Sequence, residues 1–257
     1  MILFGDYHTH TKYSRNHHGK STIEQNVQVA VKKGLKEIGI TEHGFSHIFF
    51  GVKRKNIKKM RAEIERLQKI YPIKIYLGIE ANLISSQGDI DLTPEEQTWF
   101  DYVIMGYHFL AKPKTLKEYF KFFRKNTKAY KKDKYTQEII DANTNAYIKA
   151  IQKNRINIIS HIGSKMKVDF VRVAQVCNQT GTFIEINGRR ICFGDEDIQK
   201  LVDMGTKFII DSDAHICDNV GECNYPTNYA IKHHIPINQI VNIDKLPKFE
   251  YKKIENK

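Results

Sequence analysis

Residues 207–215 read KFIIDSDAH, a short apolar run, Phe208-Ile209-Ile210, that stops on Asp211, Asp213 and His215. Successive side chains of a strand point to opposite faces, so Asp213 and His215, two positions apart, point the same way and can address one centre. The opening of the chain, MILFGDYHTH (residues 1–10), has the same form, with His8 and His10 at the same spacing. Both runs are mostly apolar throughout rather than alternating, which is how a parallel strand covered on both faces reads.

Working outward, five more stretches rich in Ile, Val, Tyr or Phe read as strands: Glu37–Thr41, Lys74–Glu80, Tyr102–Gly106, Asn157–Ser160 and Thr182–Asn187. With Ile2–His8 and Lys207–Asp213 they make seven. Helical patterns separate them. Ser21-Thr22-Ile23-Glu24 and Thr93-Pro94-Glu95-Glu96 both match a capping box, the second with Pro at the first helical position. Ile23, Val27, Ala30 and Val31 recur at helical spacing before Gly34, which stands where a C-terminal cap belongs. Ile57 to Ile70, Val168 to Asn178 and Asp195 to Met204 are further amphipathic stretches. Seven strand-then-helix units imply an α/β fold with a parallel sheet, either a closed barrel or an open doubly wound sheet.

The strand ends carry the chemistry. Besides His8/His10 and Asp213/His215, the second strand runs into Thr41-Glu42-His43, the third ends on Glu80, the fourth on His108 and the fifth on His161. In a parallel barrel all these ends open on one face, where the active sites of such barrels lie. Imidazoles with a minority of carboxylates suit zinc, manganese or iron, whereas calcium and magnesium prefer oxygen shells. More than four ligands exceed one tetrahedral ion, so two to three divalent ions are expected, with Glu80 able to bridge two. Such ions polarise a phosphoryl oxygen and activate water, which makes phosphate-ester hydrolysis the expected reaction.

Composition bounds the alternatives. The chain has 257 residues, 41% hydrophobic and 27% charged, enough for one domain burying roughly three quarters of its unfolded surface. Disorder, collagen and coiled coil do not fit those proportions. There is no apolar run of membrane-spanning length and no leader-like N-terminus, so a cytoplasmic location is the expectation. Cys177, Cys192, Cys217 and Cys223 form no C-x-x-C pair and read as reduced thiols. The net charge of +12 arises mostly between Lys112 and Lys134, where ten Lys and Arg face only Glu118 and Asp133. That stretch, part of a helical elaboration expected at about 111–153, interleaves its lysines with Tyr119, Phe120, Phe122, Phe123, Tyr130 and Tyr135. Such a mixture can bind single-stranded nucleic acid. The favoured reading is two helices whose aromatics pack inward while the lysines face water.

The ordered set of H-x-H, T-E-H, lone Glu and His strand ends and closing D-x-H resembles the PHP (polymerase and histidinol phosphatase) family over essentially the whole chain. The resemblance implies a distorted seven-stranded (β/α)7 barrel with a trinuclear metal site at the C-terminal face of the strands. It implies that His8, His10, Glu80 and Asp213 hold one ion, that Glu80, His108 and His161 hold a second, and that His18, His43 and His215 hold a third. His18 is preferred to His17 because it stands immediately before Gly19-Lys20-Ser21, as the third-metal histidine does in similar members. Glu42 replaces the Asp more usual before the histidine of that family's second motif.

The expected reaction is attack of a metal-bridging hydroxide on the phosphorus of a small phosphomonoester, histidinol phosphate being the first candidate, with Glu80, His43 and His215 as catalytic residues. Arg189 and Arg190, after the sixth strand, and Lys20 and Arg54, after other strand ends, are candidates for holding the phosphate, with Lys165 a further one. His47 is a candidate pocket residue, whereas His233 and His234 read as solvated. Two other readings use the same residues: a phosphodiesterase or exonuclease, and a nucleic-acid-binding module with structural metals, both disfavoured. No P-loop, G-x-S-x-G or Cys-x5-Arg motif offers a different phosphate chemistry. The oligomeric state is open.

Overall fold

A computed structural model describes residues 1–251. Seven strands form one sheet in chain order, β1 (Gly5–Asp6), β2 (Glu37–His43), β3 (Lys74–Asn82), β4 (Tyr102–Gly106), β5 (Ile158–Ile159), β6 (Phe183–Asn187) and β7 (Phe208–Asp211). Every neighbouring pair is parallel. The helices are α1 (Ile23–Lys32), α2 (Arg54–Gln68), α3 (Pro94–Gln97), α4 (Leu116–Glu118), α5 (Arg124–Lys131), α6 (Gln137–Lys153), α7 (Phe170–Thr180), α8 (Asp195–Asp203) and α9 (Asn224–Lys232). Among the described residues no helix is long and apolar enough to cross a membrane.

The sheet curls until its first and last strands meet, so the fold is the seven-stranded barrel rather than the open sheet. Backbone contacts close the upper end, where His10 N–H donates to the Ala214 carbonyl at 2.7 Å and Ala214 N–H to that of His8 at 3.2 Å. Lower down, side chains span the seam. Asp211 accepts the Tyr7 N–H at 2.7 Å and Asp6 accepts the Ser212 N–H at 3.1 Å. Buried Asn242 donates to the carbonyls of Gly5 (2.9 Å) and Ile210 (2.6 Å) and accepts the Ile210 N–H (3.0 Å). The strand expected over Ile2–His8 shrinks to two paired residues for this reason: Phe4 N–H turns to the Asn242 carbonyl and Tyr7 N–H to a carboxylate.

Two apolar layers result. Outside, the strands pack against the helices in one large core that includes Ile38, Ile40, Ile75 and Leu77. Inside, Tyr7, Tyr102, Ile104, Ile158, Phe183 and Ile209 fill the lower barrel, which Phe249 plugs by stacking on Tyr102 at 4.5 Å. Tyr102 fits because Gly39 faces it; a Cβ at Gly39 would lie 1.7 Å from the Tyr102 hydroxyl. The upper barrel is left for polar side chains.

Two local expectations need correction. Helix α1 is capped by Thr22 with Gln25, not by Ser21 with Glu24. Ser21 is engaged by the Cys217 N–H at 2.7 Å, and Glu24 turns to Arg66 and Tyr71. The elaboration packs only part of its aromatic set inward. Phe122 and Phe123 are buried against Tyr107, whereas Tyr119 and Phe120, on the π-helical turn Tyr119–Phe123 between α4 and α5, stay 45% and 53% exposed. Reciprocal amide bonds between buried Asn126 and Asn143, both 2.8 Å, tie α5 to α6. The four cysteines are free.

Asn242 is the seam's replacement for a ladder. Asn242→Ala would strand one buried N–H and two carbonyls, and should destabilise the fold by roughly 2–4 kcal/mol in denaturant unfolding. A loss below about 0.5 kcal/mol, the scale of a neutral surface change, would show that the seam does not depend on this side chain.

Candidate metal centre

The parallel register delivers the site. His43 pairs with Glu80 across β2 and β3, so both side chains enter the upper barrel at one level. Gly106 of β4 leaves the space between them and β5; a Cβ there would sit 2.6 Å from Ser160 Oγ, 2.9 Å from the His161 ring and 3.0 Å from Glu80 Oε1. Glu80 is fully buried and stands at the centre.

Around its Oε2 lie the other three residues expected at the first ion, His8, His10 and Asp213. His8 Nε2 is 3.5 Å from Glu80 Oε2 and 3.8 Å from Asp213 Oδ1; His10 Nε2 is 3.8 Å and 3.4 Å from the same two atoms. Ligands about 2.1 Å from a tetrahedral ion stand about 3.4 Å apart, so these separations already approximate the edges of such a shell. Around Oε1 stand His161 Nε2 at 2.8 Å and His108 Nε2 at 3.4 Å. The third trio also meets, with His18 Nε2 at 3.1 Å from His43 Nε2 and 2.7 Å from His215 Nε2. His43 links two groups, because its Nδ1 lies 2.7 Å from Glu80 Oε2. His17 is exposed, and His18 is the residue stacked on Phe50 at 3.9 Å and aimed inward. Buried Glu42 braces the loop carrying His18 by accepting the Thr11 N–H at 2.8 Å and the hydroxyls of Thr11 and Ser14.

Sequence reading missed the groups that aim these rings. His8 Nδ1–H donates to Glu185 Oε1 at 2.7 Å, and Glu185 Oε2 accepts the His161 N–H at 2.7 Å and Asn187 Nδ2–H at 2.8 Å. His108 Nδ1–H donates to Asn82 Oδ1 at 2.8 Å, and Asn82 Nδ2–H to buried Asp91 at 2.6 Å. His215 Nδ1–H donates to the Asp213 carbonyl at 2.8 Å. With Nδ1 protonated, each ring presents its Nε2 lone pair to the centre, the arrangement a ligating histidine needs. A signal existed for Glu185 alone: it is the charged residue of the apolar strand Phe183–Asn187, at an inward position.

The electrostatics fit a cationic occupant. Burial holds His10 at about 3 and His18 at about 4, so both rings are neutral at pH 7, the form that binds metal. Burial alone would push Glu80 up, but His108, His43 and His8 reverse this and hold it well below the usual carboxylate range. Asp213 is likewise ionised, burial being outweighed by His8 and His10. His8 Nε2, both His10 nitrogens, His43 Nδ1 and Glu80 Oε2 are buried with no hydrogen-bond partner. Unpaired buried lone pairs aimed at one another are costly unless cations fill the gap. The donor set therefore fits several divalent ions.

The centre opens into a pocket of about 270 Å³ whose wall includes Arg189, Arg190, Lys165, His47 and Phe50. Arg189 Nη1 lies 3.1 Å from His215 Nδ1, and Arg190 Nη1 donates to Ser164 Oγ at 3.2 Å. His47 is buried and stacks on His43 at 4.7 Å. Lys20 and Arg54 do not line this pocket. Lys20 is exposed and contributes its N–H to the His215 carbonyl. Arg54 begins α2, pairs with Glu96 at 2.5 Å and lies over Phe45, in the helical layer. His234 is exposed as expected, but His233 is half-buried against Tyr229 at 4.2 Å.

If Glu185 sets the orientation and basicity of His8, Glu185→Gln should lower metal affinity by about 10–100-fold in competition with a chromophoric chelator. Unaltered affinity would mean that packing alone holds the ring.

Residues 6–189 match the PHP domain model. A probable phosphatase of Caldanaerobacter subterraneus subsp. tengcongensis is 30% identical over 97% of this chain and 91% of its own length. One from Clostridium acetobutylicum is 26% identical over 98% and 95%. Among solved structures, the histidinol phosphate phosphatase of Lactococcus lactis, complexed with zinc, L-histidinol and phosphate, superposes with a TM-score of 0.63 at 16% identity, covering 98% of this chain and 100% of that one. A histidinol phosphatase homologue from Listeria monocytogenes gives 0.59 at 16% identity, covering 88% and 99%. The match over most of the chain, with the barrel already in view, makes this protein a member of the PHP domain family.

Proposed function

We propose that this chain is a metal-dependent phosphatase that hydrolyses a small phosphomonoester at the mouth of its barrel. The observation that carries the reading is the donor cage of His8, His10, Glu80 and Asp213, with edges of 3.4–3.8 Å, opening onto a pocket walled by Arg189 and Arg190. The relatives named as probable phosphatases support the reaction class. Histidinol phosphate is the first substrate to assay, because the Lactococcus lactis structure is that of a histidinol phosphate phosphatase.

In this proposal His8, His10, Glu80 and Asp213 hold one ion, Glu80, His108 and His161 a second, and His18, His43 and His215 a third. Divalent zinc, manganese or iron held there supplies Lewis acidity toward a phosphoryl oxygen and acidifies water to near neutral pH. The chain's own residues do the rest. Glu80 would help to hold two of the ions, and His18, His43 and His215 would hold the third. Arg189 and Arg190 present guanidinium groups to the phosphate oxygens, a match of planar forks to oxyanions. Phe50 and Tyr107 add aromatic wall to the pocket.

Two measurements test this. Chelation with EDTA should abolish release of inorganic phosphate from monoesters, and added zinc or manganese should restore it. Glu80→Ala should lower metal content and reduce kcat by roughly 10³-fold or more, the several kcal/mol such ions supply. Full turnover by the variant, or nucleotide release from single-stranded DNA without monoester hydrolysis, would overturn the monoesterase reading.

A further inference from the structure

The charge balance of the pocket, beyond the metal ligands, bears on the substrate's alcohol half. The two carboxylates in the lining, Glu80 and Asp213, are both engaged by histidines. The same lining holds three cations. Arg189 comes no closer than 3.8 Å to Asp213, and among the described residues no carboxylate lies within ion-pairing distance of Lys165 or Arg190. A phosphate dianion can occupy two such groups, which leaves one over.

That remaining cation is built in. Lys165 is half-buried, its stem packed and its ammonium held at the solvent edge of the wall. Its ammonium donates to Tyr130 Oη at 3.2 Å and lies 4.8 Å from the Tyr130 ring centre and 5.9 Å from that of Phe109. Tyr135 fixes its backbone, donating to the Lys165 carbonyl at 3.1 Å. Both tyrosines come from the lysine- and aromatic-rich elaboration, and Phe109 packs on Tyr130 at 5.1 Å. Beyond Ser164, which borders both spaces, a second hollow of about 1040 Å³ opens beside Tyr130. Of the carboxylates in that hollow, one is ion-paired and two cap helix N-termini. Asp133 pairs with Lys167, Asp169 accepts the Arg172 N–H, and Asp197 accepts the Gly194 N–H.

We infer that Lys165, with Ser164 beside it and Arg189 and Arg190 left to the phosphate, forms a subsite for a second anionic group on the substrate, so that the preferred ester is doubly anionic, a bisphosphate or a carboxylated phosphomonoester. The inference rests on the phosphatase reading and narrows it. An amino-alcohol ester would bring its ammonium beside Lys165, where among the described residues no carboxylate lies within ion-pairing distance, which ranks histidinol phosphate behind doubly anionic esters at this site. The elaboration thereby acquires a role as the wall that positions Lys165.

Calorimetry on the full-length, metal-loaded protein tests this through binding, at a pH and temperature where turnover is slow. Two matched pairs differ chiefly in the second charge: 3-phosphoglycerate against glycerol 1-phosphate, and ribose 1,5-bisphosphate against ribose 5-phosphate. In at least one pair the doubly anionic member should bind about 10-fold or more tighter, as one added charge-assisted contact allows. Lys165→Met should bring that ratio to within about threefold, the residue of an ion pair removed from a part-buried wall, while Lys128→Met on the exposed face of α5 should preserve it. Equal affinities within both pairs in the wild type, or a ratio that survives Lys165→Met, would overturn the subsite. Phosphate release from these four esters and from histidinol phosphate is scored separately: its absence from all five would sink the phosphatase reading, while the binding ratio would still decide the subsite.

Discussion

The structure depends on one buried carboxylate. Glu80 stands in the upper barrel with imidazoles from β2 and from just beyond the ends of β1, β4 and β5 around it, at separations too short for neutral lone pairs to face one another at ease. Desolvating a carboxylate is expensive unless positive charge repays it. Much of the surrounding design makes sense as provision for that charge. Gly106 clears the volume, Glu185 and Asn82 turn His8 and His108 toward it, and the aromatic plug below keeps the polar layer at one end of the barrel.

Much of this was legible in the sequence because two periodicities reinforce each other. Apolar runs of strand length locate the sheet, and the ligands at the ends of six of the seven runs land on one face once the sheet is parallel. The i, i+2 pairs His8/His10 and Asp213/His215 add direction. The barrel itself was not legible from period alone, because an open sheet gives the same runs; closure depends on Asp6, Asp211 and Asn242 reaching across the seam, and nothing local marks an asparagine near the C-terminus as a strand substitute.

The misses share a cause. Proximity to a strand end says nothing about side-chain direction, so Arg54 and Lys20 read like Arg189 and Arg190 although Arg54 belongs to the helical layer and Lys20 to the exposed surface. Asn82 and Asp91 act through histidine rings, and polar residues near a strand end are too common to single out. The elaboration divides in the same way: Phe122 and Phe123 serve the core, the lysines of α5 face water, and Tyr130 and Tyr135 line the hollow beside the pocket and hold Lys165. Its positive charge therefore raises the local concentration of anions in general, whereas its aromatic residues act at one place.

The central claim is that several ions share the Glu80 carboxylate. Anomalous diffraction from crystals grown with zinc or manganese, recorded on both sides of the absorption edge, tests it most directly. The account predicts at least two anomalous peaks within coordinating distance of Glu80, one beside His8, His10 and Asp213 and another beside His108 and His161. A single peak, or peaks that avoid Glu80, would contradict it.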